Sequence, residues 1–337
     1  MIQDAIESIV DGRDLSQHDA SLAMDEIMNG DATPAQFGSF VTALRMKGET
    51  PEEIAGMALV MREKSLHVDV NGRAVDTCGT GGDGSGTFNI STTAGFVIAG
   101  TGIVVAKHGN RAMSGTCGSA DVLEALGVKI TLGPNNVKRC LEEVGFGFMF
   151  AQVFHPSMKY AAGPRREIGI RTAFNMLGPL TNPANVDSQL IGVANPDLAE
   201  KIINVLAILG SRHALVVHGA GGIDEISLEG PTKIWELKNG QISLNEIAPV
   251  DMGLDPMPTN NLKVTSVAQS VEIVRNVLSG QRGAARDVVL ANAAGALLAA
   301  DRVTTIAEGI EVAAKSIDSG NASEKLTALV KLTSKLE

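Results

Sequence analysis

The stretch Asp76-Thr77-Cys78-Gly79-Thr80-Gly81-Gly82-Asp83-Gly84-Ser85-Gly86-Thr87-Phe88-Asn89-Ile90-Ser91-Thr92-Thr93 places five glycines within the eight residues 79–86. It follows a predicted strand that begins near Ala74 and precedes a helical run over 94–99. Without Cβ atoms, the loop's N–H groups can approach an anion closely, and the N-terminus of the next helix adds partial positive charge. A strand, such a loop and a helix in succession predict a phosphate cradle in an α/β fold. The loop lacks the Gly-Lys-Ser/Thr close of a Walker A motif, and Gly79-Thr80-Gly81-Gly82 has the wrong spacing for a dinucleotide-binding GxGxxG. Asn89, Ser91, Thr92 and Thr93 offer further donors, and the Ser91 hydroxyl is a candidate metal ligand. A plain glycine turn closed by a Ser/Thr N-cap is the simpler alternative.

The flanking sequence supports that fold class. Residues 1–70 read as helices: Thr33-Pro34 and Thr50-Pro51 each set an N-cap before a first-turn proline, and Thr50 with Glu53 fits a capping box. Gly30 and Gly48 suit helix stops, and Ile54, Met57, Ala58 and Met61 recur at helical spacing. From Ala74 onward, short β-branched or apolar runs (103–106, 146–151, 190–194, 214–218) alternate with helical segments (121–126, 137–144 and one opened by Asn195-Pro196). That alternation predicts a mostly parallel sheet. Segment 233–247 reads as a hairpin about Asn239-Gly240, and the remainder as alanine-rich helix. Residues 165–177 read as a helix that ends at Gly178-Pro179 and packs back on the N-terminal helices, so the helical unit is discontinuous.

Three further clusters bear on chemistry. Lys107-His108-Gly109-Asn110-Arg111 ends the strand 103–106, and beyond strand carboxyl ends is where open α/β sheets hold ligands. Ser114, Gly115 and Ser119 add hydroxyl and main-chain donors downstream, with Ser119 expected to cap the next helix. Each cation alone suits solvent, and His108 alone suits packing. Beside the first loop, the set matches the donor surface that a diphosphate and a ribose phosphate require. Asp224-Glu225 follow the strand 214–218 through a glycine turn, and this pair suits either a solvated turn or a hard cation such as Mg²⁺. Arg165 and Arg166 follow Pro164 at a predicted helix start, where the helix dipole disfavours cations. Either a surface salt bridge or recognition of a planar carboxylate would account for them.

Composition narrows the partners. A net charge of −10 and 3% aromatic residues over 337 residues oppose a nucleic-acid surface. Cys78, Cys117 and Cys140 are too few and too scattered for a disulfide framework or a CxxC metal site. The start MIQDAIESIVDGRD lacks the features of a signal peptide, and no apolar run reaches ~20 residues. A cytoplasmic protein without membrane or nucleic-acid partners is expected.

Four separated segments, DTCGTGGDGSGTFNIST, KHGNRAMSGTCGSADVLEALG, HPSMKYAAGPRREIGIRTAFNMLGPLTNP and GGIDEISL, together resemble the anthranilate phosphoribosyltransferase family across nearly the whole chain. The resemblance implies a nucleoside phosphorylase-like fold: residues 1–70 as a helical domain joined by about 165–185, and 71–337 as an α/β domain. It implies transfer of the phosphoribosyl group of PRPP to the amine of anthranilate, a step of tryptophan biosynthesis. It also implies a homodimer formed through the helical domains and Mg²⁺, with two ions per subunit, at least one arriving with PRPP. Residue by residue, it implies PRPP contacts at Gly79, Gly82, Asp83, Thr87, Asn89, Ile90, Ser91, Thr92, Lys107, His108, Gly109, Asn110, Arg111, Ser114, Gly115 and Ser119. Anthranilate contacts fall on Gly79, Asn110, Arg165, His108 and His155, and metal ligands on Ser91, Asp224 and Glu225. Many members carry a second serine where this chain has Gly115, which leaves only a main-chain donor there. A pyrimidine nucleoside phosphorylase and a catalytically silent nucleic-acid-binding relative share the fold class. The Asp224-Glu225 pair argues against the first and the negative charge against the second.

Overall fold

The computed structural model describes residues 1–112 and 117–336, so the expectations for Ser114 and Gly115 lie outside the described residues. Four helices open the chain: α1 (Ile2–Val10), α2 (Gln17–Asn29), α3 (Pro34–Lys47) and α4 (Pro51–Glu63). Both expected caps form, as capping boxes at Thr33 with Gln36 and at Thr50 with Glu53. Glu53 is fully buried, and it accepts from the N–H groups of Thr50 and Leu15 and from Lys47 Nζ. Those bonds offset the cost of burying its charge. Gly30 closes α2 in the left-handed conformation.

The α/β part follows as β1 (Ala74–Gly79), α5 (Ile90–Gly100), β2 (Val104–Gly109), α6 (Ser119–Ala125), α7 (Pro134–Glu143), β3 (Phe146–Phe150), α8 (Ala151–Phe154), α9 (Lys159–Ile168), α10 (Phe174–Leu180), β4 (Ser188–Gly192), α11 (Pro196–Ile208), β5 (His213–Gly219), β6 (Thr232–Lys238), β7 (Gln241–Ile247), α12 (Val267–Leu278), α13 (Ala284–Ala299), α14 (Ile306–Asp318) and α15 (Asn321–Thr333). The sheet runs β3-β2-β1-β4-β5-β6-β7; the first five strands are parallel, and the hairpin β6–β7 joins antiparallel. Asn239 and Gly240 both have positive φ, 50° and 79°, as the two-residue turn demands.

Strand pleating divides the core. Leu190, Leu215 and Val217 enter one hydrophobic cluster with α5 and α13, while their neighbours Ile191, Ala214 and Val216 enter the other with α2, α3, α4 and α11. The helical unit and the underside of the sheet therefore share one core. Among the described residues, no helix is long and apolar enough to cross a membrane.

Several sequence expectations require correction. The strand expected at 103–106 continues to Gly109, so Lys107, His108 and Gly109 pair with Phe148, Met149 and Phe150 rather than lying in a loop. The single helix expected over 165–177 is two, α9 and α10, interrupted at Gly169 with φ 66°. Pro164 lies inside α9, and Arg165 and Arg166 occupy its last turn. The helix dipole favours cations there, which removes the argument that their position opposed it. Ser119 is the first residue of α6 and not its cap; Gly118 takes that place, and the Asp121 carboxylate accepts the Gly118 N–H at 3.0 Å.

Candidate active site

Two neighbouring parallel strands, β1 and β4, diverge in their connections: β1 leads through α5 to β2 on one side, and β4 through α11 to β5 on the other. A crevice opens beyond the carboxyl ends of such a strand pair. Gly79 and Gly192 end these strands directly opposite each other. A methyl group on Gly192 would overlap the Asp224 main-chain oxygen, and one on Gly79 would overlap the Asp224 carboxylate. Two glycines thus admit Asp224 to the floor of the crevice, where its Oδ2 accepts the Gly81 N–H at 2.8 Å.

The glycine loop rises from this floor. Gly81, Gly82, Gly84 and Gly86 all have positive φ, between 66° and 75°. The Asp83 Oδ1 accepts the Ser85 N–H at 3.0 Å, which turns the loop back. Its far arm is held by main-chain bonds from Val264 N to Gly86 O and from Phe88 N to Leu262 O, with Thr87 bridged to Lys263. Ser270 Oγ accepts the Asn89 N–H, and Asn89 Oδ1 accepts the Thr92 N–H, capping α5. Asn89 is therefore both a candidate ligand contact and the helix cap. Ile90 is buried in the core, so only its main chain can face a ligand. Thr92 is also buried, and its hydroxyl has no hydrogen-bond partner among the described residues.

Pleating sends consecutive β2 side chains to opposite faces. Lys107, 1% exposed, runs beneath the loop and donates to the Thr77 carbonyl and, at 3.3 Å, to Ser91 Oγ. Burial lowers its pKa, and the nearby Asp76 works against that shift. Asp76 is itself buried and raised by burial; it accepts the His108 N–H at 3.2 Å and an Asn182 Nδ2 hydrogen at 2.8 Å. His108 points to the other face, where its Nδ1 lies 3.2 Å from the Gly178 carbonyl and its ring 5.0 Å from that of His155. Burial depresses both imidazoles, His108 to about 3 and His155 to about 4, so the pair is neutral at pH 7. Neither Nε2 has a partner among the described residues.

The carboxylates respond to burial and to one another. Burial, with Asp83 close by, raises Asp224 to about 7. Glu225 is raised well above its usual range by burial and by the Asp224 charge, and the Lys107 cation only partly opposes this. A divalent cation would relieve that repulsion, with Ser91 Oγ as a neutral oxygen nearby. Among the described residues, no three or more His, Cys, Asp and Glu are grouped as a ready-made metal cage. Two carboxylates beside a hydroxyl fit Mg²⁺, which takes one or two carboxylates and completes its shell with water and phosphate oxygens.

The remaining expected residues are placed unequally. Arg165 is half-buried with its guanidinium 5.3 Å over the Phe174 ring, and no hydrogen-bond acceptor or carboxylate is paired with it among the described residues. Burial lowers its pKa. It is a cation awaiting an anion. Arg111 is instead committed to Asp121 and Glu124, at 3.0 and 2.8 Å, and stacks over Phe150. Asn110 is exposed, and its carbonyl accepts the Ser119 hydroxyl at 3.2 Å; Gly109 is packed against that same serine.

Sequence reasoning missed Asp76 and Asn182, the polar pair that fixes the main chain of β2, and Gly192, whose signal was a glycine closing an apolar strand. It also missed Arg171, between α9 and α10, whose Nη2 donates to the Gly82 carbonyl at 2.7 Å.

Comparison with known proteins gives a consistent result. Residues 3–65 match a family model described as the helical bundle domain of a glycosyl transferase family, and residues 71–323 match that family's a/b domain. The chain is 57% identical to the anthranilate phosphoribosyltransferase of Chloroflexus aggregans, covering 98% of this chain and 97% of that one. It is 55% identical to that of Dehalococcoides mccartyi, covering 100% and 99%. Among solved structures, anthranilate phosphoribosyltransferase from Thermus thermophilus is similar with a TM-score of 0.94 at 39% identity, covering 98% and 99%. The Saccharomyces cerevisiae enzyme in complex with PRPP and Mg is similar with a TM-score of 0.91 at 28% identity, covering 99% and 98%.

Proposed function

Since the chain belongs to the anthranilate phosphoribosyltransferase family of glycosyl transferases, we infer that it transfers the phosphoribosyl group of PRPP to the amine of anthranilate, releasing pyrophosphate, within tryptophan biosynthesis. One observation carries the reading to this chain's own residues: the crevice beyond β1 and β4 brings a glycine loop, an acidic pair and the buried Lys107 together.

Mg²⁺ belongs to the reaction, as the Mg-bound yeast relative supports. When bound, it neutralises charge on the departing diphosphate. We assign it to Ser91, Asp224 and Glu225, as two ions of which at least one arrives with PRPP. Gly79, Gly82, Asp83, Thr87, Asn89, Ser91 and Thr92 form the PRPP wall in this reading. Their loop N–H groups are fixed before the anion arrives, and such preorganised donors dominate this kind of catalysis. Lys107 acts from below, its charge reaching the site through Ser91.

The bond from the anomeric carbon to the diphosphate oxygen breaks, a bond to the anthranilate nitrogen forms, and the nitrogen sheds a proton. An aromatic amine is neutral near pH 7, so its lone pair is free without a strong base, and no acid–base residue is assigned. Arg165, with no counter-ion of its own among the described residues, holds the anthranilate carboxylate, with Asn110 and the neutral His108–His155 pair beside the ring. Such positioning contributes at most ~7–11 kcal/mol.

A homodimer through the helical units completes the reading. Three free cysteines suit the reducing cytoplasm. The test is loss of anthranilate fluorescence with PRPP and Mg²⁺, abolished by EDTA and matched by pyrophosphate release. Phosphorolysis of thymidine without such transfer would overturn the assignment.

A further inference from the structure

We propose that Arg171 is a positioning residue that fixes the turn of the glycine loop and ties it to the chain segment carrying Arg165; this rests on the reaction assigned above. Gly81 and Gly82 are consecutive residues at φ 67° and 75°, without side chains, so the turn has little order of its own. It is held at both ends. The Gly81 N–H donates to Asp224 at 2.8 Å, and the Gly82 carbonyl accepts from Arg171 Nη2 at 2.7 Å. One tie comes from the connection after β5 and the other from the connection between α9 and α10, so the turn is clamped between two elements distant in sequence.

The second tie is charge-assisted and short, the stronger kind of hydrogen bond. The approach is close, because a methyl group on Gly82 would overlap the Arg171 guanidinium. No carboxylate competes for this guanidinium among the described residues, although its side chain is exposed. Arg171 lies six positions after Arg165. Ordering of the PRPP loop is thereby coupled to the placement of the anthranilate-holding segment.

The experiment compares wild type, Arg171→Ala and Arg171→Lys in the full chain. It measures PRPP–Mg²⁺ affinity by calorimetry without anthranilate, KM for each substrate, kcat and Tm. Arg171→Ala should weaken PRPP binding roughly tenfold, as loss of one charged hydrogen bond would. PRPP KM should rise with it, while Tm stays near that of wild type. Lysine, a donor without the planar fork, should restore part of the loss. If the alanine variant does not fold, Arg171→Met keeps the aliphatic stem and should show the same loss.

A double-mutant comparison adds an independent readout. In a Gly82→Ala background the tie is already disturbed, so removing Arg171 should cost much less than about tenfold. Unchanged PRPP affinity in Arg171→Ala or Arg171→Met, or strictly additive effects with Gly82→Ala, overturns the proposal. A wild-type chain that neither binds PRPP nor releases pyrophosphate overturns the assigned reaction instead, so the two failures are distinguishable.

Discussion

The Asp224 main-chain oxygen fills the position that a Cβ on Gly192 would need. This obstacle is backbone rather than a flexible side chain, so accommodating a methyl there means moving the acidic segment. Gly192→Ala should lower stability by about 1–3 kcal/mol as an overpacking change. It should also reduce PRPP-dependent pyrophosphate release roughly tenfold or more by displacing Asp224. Gly163→Ala is the control: it lies in α9 with open space around it and should gain about 0.5–1 kcal/mol. Thermal melts and the release assay read both, and equal behaviour of the two variants would remove the steric argument.

Arg165→Ala should raise the anthranilate KM far more than the PRPP KM, because its guanidinium lacks a counter-ion among the described residues and stacks on Phe174. Arg165→Lys should recover little, since it loses the planar fork. Steady-state kinetics with each substrate varied in turn distinguishes this from a general defect, which would move both constants alike.

Asp224→Asn and Glu225→Gln should each shift the Mg²⁺ concentration for half-maximal rate upward by roughly tenfold or more. A magnesium titration at fixed PRPP reads the shift. An unchanged magnesium requirement in either variant would show that its carboxylate does not hold the metal.

His108 and His155 are held neutral in the fold by burial, at about 3 and about 4 against an ordinary 6.5. Below about pH 6.5 the unfolded chain takes up protons that the folded chain refuses, so stability falls as the solution is acidified. The loss continues down to the folded values, at a slope of up to about 1.4 kcal/mol per pH unit for each histidine. Tm measured between roughly pH 7.5 and 5 should decline in wild type and decline less steeply in His155→Gln. Parallel curves would assign the acid sensitivity to other groups.

What the sequence disclosed depended on range. Thr33, Thr50 and the hairpin at Asn239-Gly240 act through neighbours within a few residues, so their signals are local and the structure reproduces them. The glycine loop was legible for the same reason. The ties that shape it were not: Asp224 reaches Gly81 across 143 residues and Arg171 reaches Gly82 across 89. No spacing rule encodes such meetings, which follow from sheet order. Lys107 and His108 show a further limit, because ending their strand at Ala106 hid the alternation that sends one to each face. Arg111 shows another: a cation near a phosphate loop is spent on Asp121 and Glu124 through contacts that only the folded chain brings together.

The sheet, and not the boundary near residue 70, separates the two hydrophobic cores, and this limits how the chain can be dissected. Removing the first four helices would strip α4 from α11, whose fully buried Ile202 lies in the same core as Ile191, Val193 and Val216 of the sheet and Met24, Phe40 and Ile54 of the helices. The α/β portion cut out alone would present the apolar sides of α10 and α11 to water where α4 had packed. Exchanging helical portions between relatives should succeed only when the underside of the sheet travels with them.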